Sequence, residues 1–204
     1  MPGLQLFLAA KGIPMPRIEL ITKKEQIPAE RHHEYDEIVG VLGQVGGPFG
    51  VLMHSPGLAE MVCKTGAHVR LQSSLTMEER EFAILSVCRE KDAAYEWVSH
   101  VGTARKAGMR DEAVEVLRNN GDTSTLKDDE RDMINYTREL LRKNRVSQPT
   151  FDSLLKRHGE RWLVEYTATI GQYQYIAAIN NAFEMEPRES DDTLPVPSPI
   201  AIKA

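Results

Sequence analysis

The stretch REFAILSVCREKDAAYEWVSHVGTARKAGM, residues 80–109, has apolar side chains at helical spacing in both of its halves. Just before it, Thr76 and Glu79 stand at the spacing of a capping box, which predicts a first helix at 77–90. The second half ends at Gly108, a residue suited to a left-handed helix cap. The stretch therefore predicts two consecutive helices.

The same spacing continues along most of the chain. No pair of alternating segments is joined by an Asn-Gly or Asp-Gly turn, so the predicted fold class is all-α. The predicted helices outside the opening stretch lie at 28–42, from Pro56 through Val69, and at 110–118, 128–145, 148–158 and 160–184. A Gly/Pro-rich loop, GQVGGPFG at 43–50, separates the first two of these helices.

Length and charge limit the classes of protein. The chain has 204 residues and is 41% hydrophobic, which is enough for one sizeable core. We expect an irregular extension at 1–16, one helical domain at 17–187 and a proline-rich tail at 188–204, which is a free arm or a strap across a neighbour. The formal net charge of -5 and the lack of a basic cluster in a groove-reading motif predict no nucleic-acid partner and no binding to anionic membranes.

The location is predicted from the N-terminus and the cysteines. The apolar run LFLAA, residues 6–10, has no basic leader and is too short to span a membrane, so a soluble cytoplasmic protein is expected. Cys63 and Cys88 are the only cysteines, and two in a chain of this length are typical of reduced core residues.

The segment AAYEWVSH, residues 93–100, combines an apolar face with titratable groups. On a helical wheel Trp97 lies at the apolar centre, and Tyr95 points the opposite way. Glu96 and His100 are four residues apart at the border between the faces, so they could share a proton or a ligand. The alternative is an ordinary surface ion pair.

Glu81 shares the register of the apolar residues Ile84, Leu85 and Cys88, so its side chain is predicted to point inward. A carboxylate on an apolar face must be paired or must have a raised pKa, and acid–base chemistry uses either state. The alternative is a first-turn glutamate that is stabilised by the helix dipole and a nearby cation.

The last predicted helix has a stripe of larger side chains at alternating spacings of four and three: Trp162, Tyr166, Thr169, Tyr173, Ile176, Asn180 and Phe183. Such stripes usually pack in a core or a subunit interface. A second interpretation is that Tyr166, Tyr173 and Asn180 line a pocket with their polar ends. Of a subunit interface and a dry core, the interface is the better fit for Tyr166, Tyr173 and Asn180, because their polar ends can find partners across it.

Residues 80–109 closely resemble the core motif of the carboxymuconolactone decarboxylase family. Looser resemblance at 50–62 and 166–187 extends it over most of the chain from about residue 17. The resemblance implies an alkylhydroperoxidase D-like helical bundle that forms a homo-oligomer, a trimer or a hexamer. It also implies a site with no metal and no organic cofactor.

A sister branch of that family, the alkylhydroperoxidase D-like proteins, uses a Cys-x-x-Cys-x-x-x-His run. Aligning its histidine with His100 puts the two cysteine positions at Ala93 and Glu96, and the relay glutamate at Glu81. Because both thiols are absent, thiol peroxidase activity is not predicted. The chain is also longer than the compact decarboxylases of aromatic catabolism.

The resemblance implies a small-molecule substrate, an unsaturated lactone that carries a carboxylate. In this hypothesis His100 is the general acid and Glu96 orients it. Glu81 tunes the number of protons held by the site or accepts the second proton. The predicted substrate-binding residues are Tyr95, Trp97, His54 and Tyr173, with the Trp97 indole as an apolar wall. The alternative is a helical oligomeric protein of the same fold that binds a small molecule without chemistry.

Overall fold

In a computed structural model, residues 16–195 are described, and this part of the chain is helical without any strand. Its nine α-helices are α1 His32–Leu42, α2 Pro48–Leu52, α3 Pro56–Leu71, α4 Met77–Glu90, α5 Ala94–Ala107, α6 Asp111–Arg118, α7 Asp128–Lys143, α8 Gln148–His158 and α9 Glu160–Ala182. The all-α fold class is confirmed. The predictions for residues 1–15 and for 196–204 lie outside the described residues.

Capping residues in the sequence predicted several helix ends correctly. The Thr76 hydroxyl accepts from the Glu79 backbone N–H at 3.2 Å, and the Glu79 carboxylate accepts from the Thr76 N–H at 2.7 Å, so the predicted capping box is present. Helix α4 has the predicted bounds, as does α8. Gly108 ends α5 in the left-handed region, with φ of 110°.

Other predicted bounds were wrong by a few residues. The first helix begins at His32 and not at residue 28, because Ala29–Arg31 forms a 3₁₀ turn. The loop predicted at 43–50 contains the start of α2, where Pro48 occupies the first helical turn. Helix α7 stops at Lys143, since Asn144 adopts a left-handed φ of 55°.

The described residues divide into two compact units. Unit 1 comprises 16–71 and Ala178–Glu186, and in it α1 packs against α3, as does α2. Its buried side chains include Ile38, Met53, Val62 and Val69. Unit 2 comprises Gln72–Ala177 and 187–195, and it contains α4 to α8, most of α9 and the described part of the tail.

In unit 2, α4 packs against α5 and α7. The turn between α4 and α5 is short because Asp92 adopts a left-handed φ of 51°, and the Ala93 N–H then bonds to the Cys88 carbonyl at 2.8 Å. The chain reverses at this turn, so the inner faces of the two helices meet in one core. The core around them contains Phe82, Ile84, Leu85, Trp97, Val101 and Leu117.

The polar members of the α9 stripe are buried within the single chain. Tyr166 is 0% exposed and Asn180 is 1% exposed, and Tyr173 is also buried. The Tyr166 hydroxyl donates to the Met133 carbonyl at 3.1 Å, and its ring stacks on Trp162 at a centroid distance of 4.7 Å. The prediction that these side chains fit a subunit seam better than a core was therefore wrong.

The described part of the tail was also predicted incorrectly. Residues 188–195 are not a free arm, because Leu194 is buried in the core of unit 2 and the Asp192 carboxylate contacts Arg105 and Arg118 of the same unit. Between residues 16 and 195, no helix has the length and hydropathy needed to cross a membrane. Cys63 and Cys88 are both free and buried.

Candidate active site

Glu81 lies in the first half of α4, and its side chain is only 2% exposed. The capping box at Thr76 fixes where α4 begins and therefore which face of the helix Glu81 occupies. That face also carries Ile84, Leu85 and Cys88, all of which are buried. The inward orientation predicted from this register is confirmed.

His100 and Glu96 project from α5 toward the same place. The His100 Nδ1 atom is 2.9 Å from Glu81 Oε2, and the His100 Nε2 atom is 3.4 Å from Glu96 Oε2. The side chains of His100 and Glu96 are 18% and 8% exposed. We call Glu81, His100 and Glu96 the acid–base triad. The structure brings the three predicted residues together, and they are not a surface ion pair.

The triad keeps its imidazole charged. Burial alone lowers the pKa of His100, but hydrogen bonds to Glu81 and Glu96, with the attraction of their charges, raise this pKa from 6.5 to about 9. His100 is therefore an imidazolium at neutral pH, and both of its ring nitrogens donate toward carboxylates. The proton on Nε2, at the longer contact, is the less tightly held of the two.

Tyr173 of α9 forms one wall beside the imidazole. Its ring meets the His100 ring edge to face, with centroids 5.1 Å apart and planes at 89°. This contact limits the orientations that His100 can adopt. Tyr173 was predicted as a substrate-binding residue, and the structure places it against the central residue of the triad.

The other predicted substrate-binding residues lie elsewhere. Trp97 is 0% exposed, and its Nε1 atom donates to the Asp192 carbonyl at 3.1 Å, so its ring offers no free surface to a substrate. His54 belongs to unit 1, where its Nε2 atom is 2.8 Å from the Glu19 carbonyl oxygen. Tyr95 is half-buried on α5, and burial raises the pKa of its hydroxyl.

Neither cysteine is prepared to react as a thiolate. Burial raises the pKa of Cys63. The Cys88 pKa is raised well above 9.0 by burial first and then by the negative charges of Glu96 and Glu81. Both thiols stay protonated at neutral pH, which makes them weak nucleophiles.

The residues described in the structure, 16–195, contain no cluster of three or more His, Cys, Asp or Glu side chains that could hold a metal ion. The triad places a partly buried proton donor between two carboxylates. Such an arrangement can deliver a proton to a carbanion or an enolate and recover it from water afterwards.

Comparisons with known proteins agree with this fold. Residues 56–139 match the model of the carboxymuconolactone decarboxylase family, and this segment contains the whole triad. No match was found among curated proteins.

Two solved structures share the fold at low sequence identity. One is the alkylhydroperoxidase AhpD core of an uncharacterized peroxidase-related protein from Ralstonia eutropha JMP134, with a TM-score of 0.69, 17% identity, and coverage of 86% of this chain and 94% of that one. The other is an uncharacterized peroxidase-related protein from Silicibacter sp. TM1040, with a TM-score of 0.66, 16% identity, and coverage of 86% and 95%.

Proposed function

We propose that this chain is a cofactor-independent lyase, because residues 56–139 match the model of the carboxymuconolactone decarboxylase family. The proposed reaction is loss of carbon dioxide from a small carboxylated lactone or a related cyclic acid. The single observation that carries the proposal is His100, a partly buried imidazolium held between Glu81 and Glu96 in the matched segment. This is the form of histidine that a proton-donating step requires.

The proposed step balances without an oxidant or a reductant. The bond between the substrate ring and its carboxylate breaks, carbon dioxide leaves, and the electron pair moves into the unsaturated lactone as a dienolate with charge on the carbonyl oxygen. His100 Nε2 then gives its proton to the α carbon, and the neutral imidazole regains a proton from water. The net change is the replacement of a carboxylate by a hydrogen atom.

The two carboxylates have different proposed roles. Glu81 makes the shorter contact, 2.9 Å to Nδ1, so it orients the ring and stabilises its charge. Glu96 stands 3.4 Å from Nε2, and this looser contact leaves that proton available for transfer. The sequence-based hypothesis gave the orienting role to Glu96, and the shorter distance favours Glu81.

Recognition of the lactone needs donors near its carbonyl oxygen, where negative charge develops. The hydroxyl group of Tyr173 is the proposed donor, since the Tyr173 ring touches His100.

The test is carbon dioxide release from a panel of carboxylated lactones. We expect the wild type to release carbon dioxide from at least one of them, and His100→Gln to lose at least about 100-fold in rate. His68→Gln is the matched control, because His68 is an exposed histidine of α3. Equal rates for wild type and His100→Gln would refute the proposed role of the triad.

A second candidate function is binding of the same class of small molecule without chemistry. The observation that favours it is that the triad members bond to one another and have little exposed surface, as a purely structural ion network would. Binding of a lactone by calorimetry, with no carbon dioxide released from any member of the panel, would decide for this candidate.

We also propose that the protein is a homo-oligomer, a trimer or a hexamer, with α9 at the contact between copies. The support is an open groove of about 530 Å³ between α8 and α9, which is bordered by Phe151, Leu155 and Val164. Val164 is 68% exposed, so an apolar side chain at this groove is open to contact with another copy. Light scattering should give an oligomeric mass for the wild type and for Gln174→Asp, and a smaller mass for Val164→Asp.

A further inference from the structure

Residues 192–195, which we call the C-terminal clamp, bind three helices of unit 2. The Asp192 carboxylate contacts the guanidinium groups of Arg105 on α5 and Arg118 on α6. Arg118 also donates to the Thr193 carbonyl, and Arg89 of α4 donates to the Pro195 carbonyl at 2.7 Å. Every one of these donors is an arginine, whose charge does not change in the physiological pH range.

The clamp holds α5 at two places. The Asp192 carbonyl accepts from Trp97 Nε1 at 3.1 Å, and its carboxylate contacts Arg105. Trp97 and Arg105 are eight residues apart, or about 12 Å along the helix axis. His100 lies between them in sequence, so the clamp fixes the part of α5 that carries the proton donor.

The clamp also reaches the helix that carries Glu81. Arg89 follows Glu81 by eight residues on α4 and connects that helix both to Pro195 and, at 3.2 Å, to the Arg118 carbonyl. Leu194 is buried in the core between these polar contacts. Four consecutive residues therefore contact both helices of the acid–base triad.

The triad needs such support because it carries two carboxylates and one imidazole. When His100 has given up its proton, two buried negative charges remain, one on α4 and one on α5, and they repel each other. The Coulomb force then acts to separate the two helices. Contacts that tie α4 and α5 together oppose this separation.

We propose that Asp192 is a positioning residue, which acts through the C-terminal clamp to hold Glu81 of α4 in contact with His100 of α5. Its effect on catalysis depends on the proposed decarboxylase function, whereas its effect on the geometry of the triad does not. Asp192 acts through its contacts with Trp97, Arg105 and Arg118.

The test compares Asp192→Asn with Asp191→Asn in the full chain. Asp191 is the preceding residue and is exposed, so it is a control of the same charge and chemistry. Two signals are measured by nuclear magnetic resonance: exchange of the Trp97 indole N–H with solvent, and the ¹⁵N chemical shifts of the His100 ring. Arg105→Gln, which removes one of the two arginines from the carboxylate, is the second variant if Asp192→Asn does not fold.

We expect Asp192→Asn to speed exchange of the Trp97 indole by at least about tenfold and to shift both His100 nitrogens, while Asp191→Asn changes neither. Unchanged exchange in a folded Asp192→Asn protein would show that the carboxylate does not hold the clamp. Faster exchange with unchanged His100 nitrogens would show that the clamp does not position the triad. Either result overturns the proposal.

Activity separates this proposal from the proposed function. On any lactone that the wild type decarboxylates, Asp192→Asn should lower kcat about tenfold and leave KM within about twofold, because the variant disturbs the proton donor and not the binding surface. If the wild type releases carbon dioxide from no lactone, the proposed function fails, and the resonance measurements still decide the role of Asp192.

Discussion

Unit 2 contains two groups of three charged side chains, and the central side chain is positive in one group and negative in the other. In the acid–base triad a cation lies between two anions, Glu81 and Glu96, and all three side chains are buried or nearly so. In the second group, Asp192 of the C-terminal clamp is the anion, and it lies between Arg105 of α5 and Arg118 of α6. The side chain of Asp192 is 29% exposed. The centre of the first group is a histidine, which loses its charge as pH rises through about 9, whereas the second consists of two arginines and an aspartate, which keep their charges there. The first group therefore contains a side chain that can donate a proton, and the second is composed of side chains that stay charged.

The largest expected effect is that of replacing Glu81, and it distinguishes the roles of the two carboxylates of the triad. Glu81→Gln replaces the closer carboxylate with a neutral amide, so we expect the His100 pKa to fall and the rate of carbon dioxide release to drop at least about 100-fold. Glu96→Gln should cost less, because its contact with Nε2 is longer. Titration of the His100 ring by nuclear magnetic resonance checks the pKa, with Glu25→Gln, an exposed glutamate, as the control.

If Glu96→Gln were the more damaging of the two, the orienting carboxylate would be Glu96, and the roles derived from the two distances would be reversed.

The triad should make stability depend on pH above neutrality. The folded His100 pKa, about 9, exceeds its ordinary value of 6.5, so its contribution to the free energy of unfolding is complete below pH 6.5 and is lost as pH rises through 9. The shift corresponds to about 3 kcal/mol at most. Urea unfolding of wild type and His100→Gln at several pH values should show the wild-type advantage shrinking between pH 6.5 and 9.

A difference between these two proteins that stays constant over the same pH range would show that His100 is not an imidazolium in the folded state.

The clamp should respond to pH with the opposite sign and by a smaller amount. Burial acts to raise the Asp192 pKa, but the hydrogen bonds from Arg105 and Arg118 outweigh it and lower the pKa below 3.8. Its stabilising contribution is therefore complete above pH 3.8 and is lost as pH falls through the folded pKa. We expect Asp192→Asn to lower the free energy of unfolding by about 1–2 kcal/mol at neutral pH, discounted for solvent screening.

The measurement is urea unfolding of Asp192→Asn beside Asp191→Asn, which should remain within about 0.5 kcal/mol of the wild type. Equal losses for the two variants would mean that the acidic tail acts through its overall charge and not through the contacts of Asp192.

The triad could be predicted from the sequence and the clamp could not, for a physical reason. Glu96 and His100 are one helical turn apart, and Glu81 has the register of the apolar face of its helix. Periodicity left a surface ion pair and a first-turn glutamate as alternatives, and the resemblance to the family motif was needed to predict the three residues as one set. Asp192 and Arg105 are 87 residues apart, and no periodic pattern relates an irregular acidic tail to a helix. Asp191 and Asp192 are adjacent and chemically alike, and only the folded chain shows that Asp192 contacts two arginines while Asp191 is exposed.

The stripe of α9 shows the same limit in a helix. Its spacing identified the buried face correctly, but spacing alone does not tell whether that face packs on its own chain or on another copy. The stacked rings of Trp162 and Tyr166 and the bond from Tyr166 to Met133 answer that question for this chain. Such contacts come from α7 and α9 together, so neither helix alone predicts them.

The smallest expected effect is that of replacing Cys88, a buried thiol close to the triad. It shares the α4 face of Glu81, and both carboxylates help to raise its pKa, so the thiol stays protonated and should take no part in the chemistry. Cys88→Ala should cost about 1 kcal/mol in stability, from the small cavity it leaves, and should change the rate of carbon dioxide release less than twofold. Cys63→Ala, in unit 1, is the matched buried control. A folded Cys88→Ala protein that has lost activity, measured beside an active Cys63→Ala, would show that the reacting network includes a thiol and that the triad is incomplete as defined.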